Sequence, residues 1–196
     1  MAIIPQISSY KIEKRIGKGG MGTVYLAFQE KLERQVALKV LLPVYADDSK
    51  ITQRFITEAK IAAKLQHTNI VSIYDVGEYQ DNYYFAMEYL PRSLMDIIKF
   101  SENGQIKPEV ALNILKQISS ALDYAHKKGV IHRDVKPSNI MLRSDGTPVL
   151  VDFGIAKFME STSNLTKTGT SIGTPHYMSP EQIQGLETDG RADIYS

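Results

Sequence analysis

Apolar and charged residues roughly alternate over residues 10–16, YKIEKRI, and β-branched and aromatic types crowd residues 23–27, TVYLA. Both patterns predict strands. Residues 36–40, VALKV, form an apolar run broken only by Lys39. That run reads as a buried strand carrying one cation, or as a strand edge from which the lysine reaches solvent. From residue 52 to 65 the residues Phe55, Ala59, Ala62 and Leu65 recur at helical spacing with Glu58 beside the stripe, which predicts a helix. Taken alone, Glu58 is a helix-surface carboxylate. Residues 70–76 and 83–89 predict two more strands, and Leu90-Pro91-Arg92 then breaks the pattern. A lobe boundary is placed there, dividing the chain into residues 1–90 and 91–196. Beyond it, Pro108 and Glu109 suit a first helical turn, Ala111, Leu115, Ile118, Leu122 and Ala125 make one face, and Lys127-Lys128-Gly129 suit an end. Strands and turns come first and helices second, which gives an α+β chain with two unequal lobes.

Composition narrows the partners. The 196 residues are 43% hydrophobic and 23% charged with a formal charge of +1, so nothing points to nucleic acid or an anionic membrane. The absence of cysteine excludes disulfides and thiolate metal ligands and suits a reducing, cytoplasmic setting. No apolar run approaches the roughly 18 residues of a membrane span, and MAIIPQISSY is too short and too weakly cationic for a signal peptide. Residues 160–175, ESTSNLTKTGTSIGTP, read as a long polar surface loop.

Candidate chemistry begins at IGKGGMGTVY, residues 16–25, with glycine at 17, 19, 20 and 22. Such a backbone can turn sharply and approach a phosphate closely. Three readings compete: a plain hairpin, a dinucleotide-binding turn and an ATP-covering loop. A dinucleotide turn should open into a helix and meet an acidic residue about 20 positions later, and neither is visible. Further on, residues 130–142, VIHRDVKPSNIML, set a histidine, two bases, an acid and an amide between apolar stretches. Residues 149–157, VLVDFGIAK, place Asp152 directly after a hydrophobic run. Polar groups so placed need partners or a function. His67, His126 and His176 are scattered without metal spacing, and His132 reads as structural.

Taken in order, GxGxxGxV (Gly17, Gly19, Gly22, Val24), VAxK (Lys39), a helix glutamate (Glu58), HRDxKxxN (from His132 to Asn139), DFG (from Asp152) and a Pro-Glu pair (Pro180, Glu181) resemble the signature set of the protein kinases. The likeness runs from about Tyr10 to the last residue. HRDVKPSN resembles the serine/threonine kinases, and GKGGMGTVY with KPSNIM resembles the eukaryotic-like kinases of bacteria. The resemblance implies a two-lobed kinase fold with a small β-rich N-lobe and a helical C-lobe. It implies phosphoryl transfer from ATP, with Mg²⁺ or alternatively Mn²⁺, to protein serine and threonine hydroxyls, within signal transduction.

The resemblance also assigns roles residue by residue. Gly17, Gly19 and Gly22 would cover the ATP phosphates, with Ile16 beside them. Lys39 would contact the phosphates while paired with Glu58. Val24 and Ala37 offer surfaces for adenine, with Met141 as floor, Met87 as gatekeeper and Glu88 and Leu90 at the hinge. Asp134 would orient the substrate hydroxyl and take its proton, Lys136 would add positive charge, and Asn139 and Asp152 would hold the metal. Arg133 would receive a phosphate from the activation segment. Thr166 and Thr168 are the candidate autophosphorylated residues, and Thr174 the threonine near the substrate pocket and Lys136. Similar kinases dimerise back to back through the small lobe, which implies a homodimer phosphorylating itself in trans. The competing class is a nucleotide-binding scaffold without catalysis, disfavoured by the intact set Lys39, Glu58, Asp134, Asn139 and Asp152.

Two departures stand out. EYLPRSLMDII, residues 88–98, is one residue short of the usual hinge exit, leaving Ser93 or Asp96 as candidates for the ribose. The sequence also stops at RADIYS, where the family continues with further C-lobe helices, including the arginine that pairs with Glu181. The expectation is an incomplete C-lobe, weakly active alone, in a longer protein with a membrane anchor as one arrangement.

Overall fold

The computed structural model describes residues 7, 9–153 and 175–196. The chain divides into two compact units, Met1–Lys64 with Val71–Tyr89, and Leu65–Ile70 with Leu90–Ser196.

In the first unit, β1 (Tyr10–Lys18), β2 (Gly22–Gln29), β3 (Arg34–Leu41), β4 (Ile73–Tyr79) and β5 (Asn82–Glu88) form a sheet in the order β1-β2-β3-β5-β4. Every neighbouring pair is antiparallel. β3 lies at the centre, so Val36, Ala37, Leu38, Val40 and Leu41 are buried and the run reads as nearly continuous apolar sequence. One cluster gathers Ile7, Tyr10, Ala27, Val36, Leu38, Val40 and Ala86. α1 (Ser49–Ala63) packs on β4 and β5, with Phe55 and Phe85 ring centroids 5.0 Å apart. The helix starts three residues ahead of the sequence expectation because Asp48 caps it, its Oδ1 accepting from the amides of Lys50 and Ile51 at 2.9 and 3.2 Å. It also ends before Leu65, whose side chain belongs to the core of the second unit.

In the second unit, β6 (Arg92–Ser93), β7 (Ile140–Leu142) and β8 (Pro148–Leu150) form a small antiparallel sheet. α2 (Leu94–Phe100) and α3 (Pro108–Lys127) precede β7, and the short helices α4 (Pro180–Ile183) and α5 (Arg191–Tyr195) close the chain. The core joins Leu65, Ile70, Leu94, Ile114, Ile118, Ala121, Leu122, Ala125, Val135, Ile140, Leu150 and Phe153. Here the expected face of α3 is corrected, since Leu115 is 59% exposed while Ile114 and Ala121 are buried. At 100° per residue the buried stripe centres on Ile114, Ile118, Ala121 and Ala125, and Leu115 falls just beyond its edge.

The strand expected from residue 70 is also corrected, because β4 begins at Ile73. Ile70 instead bridges to Leu150, whose amide donates to the Asn69 carbonyl at 2.8 Å. Asn69 Nδ2 donates to the Pro148 carbonyl at 2.7 Å and to Gln117 Oε1 at 3.0 Å, so the segment is tied to α3 and β8. Among the described residues no helix is long and apolar enough to cross a membrane.

Candidate phosphoryl-transfer site

In the first unit the glycine-rich stretch joins β1 to β2, with Lys18 opposite Thr23 and the Gly19 amide donating to the Gly22 carbonyl at 2.8 Å. A Cβ on Gly22 would stand 2.8 Å from the Val40 carbonyl oxygen, so only glycine lets β2 lie this close to β3, whereas at Gly20 a Cβ would meet nothing within 4 Å. Ile16 is 41% exposed at the edge of this hairpin. Val24 and Phe85 flank Lys39 on the neighbouring strands. The Lys39 ammonium lies 3.2 Å from Glu58 Oε1 and 5.4 Å from the Phe85 ring centre. The surface reading of Glu58 is therefore corrected: it sits on the Phe55 and Ala59 side of α1 and is 8% exposed. Ala37 is opposite Met87, and Glu88 donates its amide to the Ser72 carbonyl at 3.0 Å.

In the second unit one short segment gathers Asp134, Lys136 and Asn139. The Lys136 ammonium is 2.9 Å from Asp134 Oδ2 and donates to Oδ1 at 3.1 Å. Asn139 Nδ2 donates to both the Asp134 carbonyl and its Oδ2 at 2.8 Å. These donors fix the direction of the Asp134 carboxylate. Asn139 is buried at the end of the turn Pro137–Asn139, and its carbonyl accepts from the Val151 amide at 3.0 Å. That bond holds it beside the strand leading to Asp152, which stands at φ 55°. Leu90 is buried, and Met141 on β7 lies opposite Val149.

The described residues contain no cluster of three or more His, Asp or Glu side chains placed to hold a metal. A Mg²⁺-type ion needs none, because it takes one or two protein oxygens and completes its shell with phosphate and water. The Asp152 carboxylate and the Asn139 amide oxygen are such hard donors, and the hydrogen bonds from Asn139 to Asp134 use its nitrogen end. The residues present fit that ion.

His132 is fully buried, with its ring 4.7 Å from the Phe153 ring. Its Nδ1 accepts from the Asp134 amide at 3.2 Å, so Nε2 carries the proton and donates to the Val151 carbonyl at 2.9 Å. Burial pushes its pKa below the usual 6.5, against the opposing pull of Asp193.

Sequence reasoning missed the anchor of this segment. Asp193 on α5 is buried, and its Oδ1 accepts from the Arg133 amide at 2.6 Å. Its Oδ2 takes the His132 amide at 2.8 Å and His126 Nε2 at 2.7 Å. Arg133 itself stands at φ 64°, a conformation that needs firm neighbours in a non-glycine residue. Its Nε donates to Thr188 Oγ1 at 3.2 Å, and burial lowers its pKa. An aspartate after Arg-Ala, at the third position of a short helix, carries no chemical motif in its local sequence.

Ser93 and Asp96, the ribose candidates, spend their side chains on each other: Ser93 Oγ donates to Asp96 Oδ2 at 2.6 Å and accepts from the Asp96 amide at 3.0 Å, capping α2. Thr166, Thr168 and Thr174 lie outside the described residues.

Comparison with known proteins matches residues 10–196 to the protein kinase domain. Serine/threonine-protein kinase PrkC of Bacillus subtilis is 45% identical over 188 residues, covering 95% of this chain and 28% of that protein. Serine/threonine-protein kinase PknD of Mycobacterium tuberculosis is 41% identical over 198 residues, covering 98% of this chain and 29% of that protein. The chain thus spans under a third of the length of these curated relatives. Among solved structures, the PknI kinase domain of Mycobacterium tuberculosis superposes with a TM-score of 0.71 at 34% identity, covering 98% of this chain and 73% of that one.

Proposed function

Because this chain belongs to the protein kinase domain family, we propose that it serves to transfer the γ-phosphoryl group of ATP to serine and threonine hydroxyls of proteins. The observation that carries the reading is the Asp134, Lys136 and Asn139 group, held at 2.8 to 3.1 Å on one segment. Phosphoryl transfer demands placement and charge neutralisation more than covalent chemistry, and this group offers both.

Asp134 orients the acceptor hydroxyl and takes its proton as the oxygen attacks the γ-phosphorus and the bond from that phosphorus to the bridging oxygen breaks, releasing ADP. Lys136, already on the Asp134 carboxylate, places positive charge beside the transferring group. Lys39, steadied by Glu58, meets the nucleotide phosphates, and the backbone amides around Gly17, Gly19 and Gly22 cover them. Val24 and Ala37 supply apolar surface for the base. Asn139 and Asp152 hold the divalent ion, Mg²⁺ or Mn²⁺, which when bound neutralises phosphate charge. Arg133 meets a phosphate formed on Thr166 or Thr168, each adding about −1.5 to −2 charge, and a second copy of the protein supplies that phosphate in trans.

The test is incubation of the full-length protein with ATP, Mg²⁺ and a generic protein substrate, followed by mapping of phosphorylated residues by mass spectrometry. Phosphoserine and phosphothreonine should form, vanish with EDTA, and include residues 160–174 of the protein itself. Phosphate on no hydroxyl, or on tyrosine alone, overturns the reading.

A further inference from the structure

The peptide plane that joins Arg133 to Asp134 is held by a side chain at each polar end. Its N–H, on Asp134, donates to His132 Nδ1 at 3.2 Å. Its C=O, on Arg133, accepts from Gln182 Nε2 at 2.9 Å. We infer that Gln182 is a positioning residue for phosphoryl transfer, fixing the peptide plane from which the Asp134 carboxylate projects. The inference rests on the proposed function for its kinetic consequence.

Gln182 stands at the third position of α4, and its Oε1 accepts from the amide of the N-cap residue Ser179 at 3.1 Å. Ser179 N–H can only donate and the Arg133 carbonyl can only accept, so the amide has one satisfied orientation. For the helix cap alone, glutamate would serve at least as well, since a carboxylate accepts the same bond and suits a helix N-terminus. What glutamine adds is the donor end, and the Arg133 carbonyl uses it.

The site needs that donor because Arg133 is left-handed at φ 64° without being glycine. Such a residue stays put only where its surroundings over-determine it. Three neighbours from one stretch of chain do so: Asp193 Oδ1 on its amide, Thr188 Oγ1 on its Nε, and Gln182 on its carbonyl. The first two act before or beside the backbone torsions that lead to Asp134. Gln182 alone in this trio grips the plane following Arg133. Because α4 follows the activation segment in sequence, a displacement of α4 would be felt at Asp134 through this bond.

The experiment compares Gln182→Glu with wild type in the full-length protein. The variant keeps the acceptor for Ser179, loses the donor for Arg133 and sets an anion against that carbonyl. The expected result is a roughly ten- to hundredfold fall in kcat, the scale of a small misplacement of a catalytic group, with KM for ATP within about twofold of wild type. Amide exchange at Asp134 should quicken while exchange across α3 stays unchanged. Unchanged kcat with unchanged exchange at Asp134 overturns the inference. So does a general quickening that includes α3, since Gln182 would then serve only stability. If wild type transfers no phosphate, the proposed function fails, yet exchange at Asp134 still decides: quickening in the variant upholds the link, and its absence overturns it.

Discussion

Replacing Asp193 with asparagine changes one atom of the side chain and should loosen the segment that carries Asp134. The carboxylate accepts three hydrogen bonds within 2.6 to 2.8 Å and is fully buried. Asparagine keeps one acceptor oxygen. In its better orientation that oxygen stands at the Oδ2 position and keeps the His132 amide and His126 Nε2, and its new NH₂ then confronts the Arg133 amide, donor against donor. One bond to a charged group is lost at about 1.5–3 kcal/mol, and the two retained bonds weaken to those of a neutral acceptor by about 1 kcal/mol each. Relief from burying a carboxylate offsets part of this gross loss of about 3.5–5 kcal/mol, leaving a net cost of about 2–4 kcal/mol. Urea unfolding of the full-length protein, resolved by amide exchange on residues 131–135, reads that difference. A double-mutant cycle with His126→Ala should return a coupling of about 1 kcal/mol or more, as expected for groups in one network. A penalty under about 0.5 kcal/mol with no coupling would refute the reasoning, because the anchor would then be dispensable.

Glu58→Gln removes the charge that faces Lys39 inside a pair whose side chains are only 12% and 11% exposed, and steady-state kinetics should show kcat/KM falling roughly ten- to hundredfold, about 1.4–2.8 kcal/mol. Gly22→Ala drives a Cβ to 2.8 Å from the Val40 carbonyl oxygen and should cost about 1–3 kcal/mol in thermal or urea unfolding, while Gly20→Ala should fold like wild type. His132 has a pKa depressed by burial, so the unfolded chain binds the extra proton first. Its contribution is complete above about pH 6.5 and is lost as pH falls below that value, at up to about 1.4 kcal/mol per pH unit. Urea unfolding between about pH 7.5 and 5 should show that slope, and His132→Gln should flatten it.

Much of the site was legible because its chemistry is written in local sequence. The glycine spacing, the lone lysine in an apolar strand and the polar run from His132 to Asn139 each carry their constraint within a few residues. Lys39 and Glu58 are less obvious, since a carboxylate beside an apolar stripe reads as surface until the helix is packed and leaves Glu58 8% exposed. What stayed hidden depends on contacts distant in sequence. Asp193 reaches back 60 residues to the Arg133 amide, and Gln182 reaches back 49 to its carbonyl. No periodicity or spacing encodes such bonds. Leu115 failed for a simpler reason: an apolar residue at the border of a helix stripe is not told apart from its centre by a spacing of three and four. Ile70 was read as the start of a strand because β-branched residues suit any pleated surface, and its bridge to Leu150 is a tertiary choice.

The most direct test of the account is a single-turnover measurement of phosphate transfer by wild type and by Asp134→Asn in the full-length protein with saturating ATP and Mg²⁺. Asparagine preserves the shape of the side chain but cannot take the hydroxyl proton, so transfer should slow by about 10²–10⁴-fold, as loss of a general base does, with ATP affinity unchanged. Transfer by Asp134→Asn at the wild-type rate would contradict the assignment of Asp134 and the mechanism built on it.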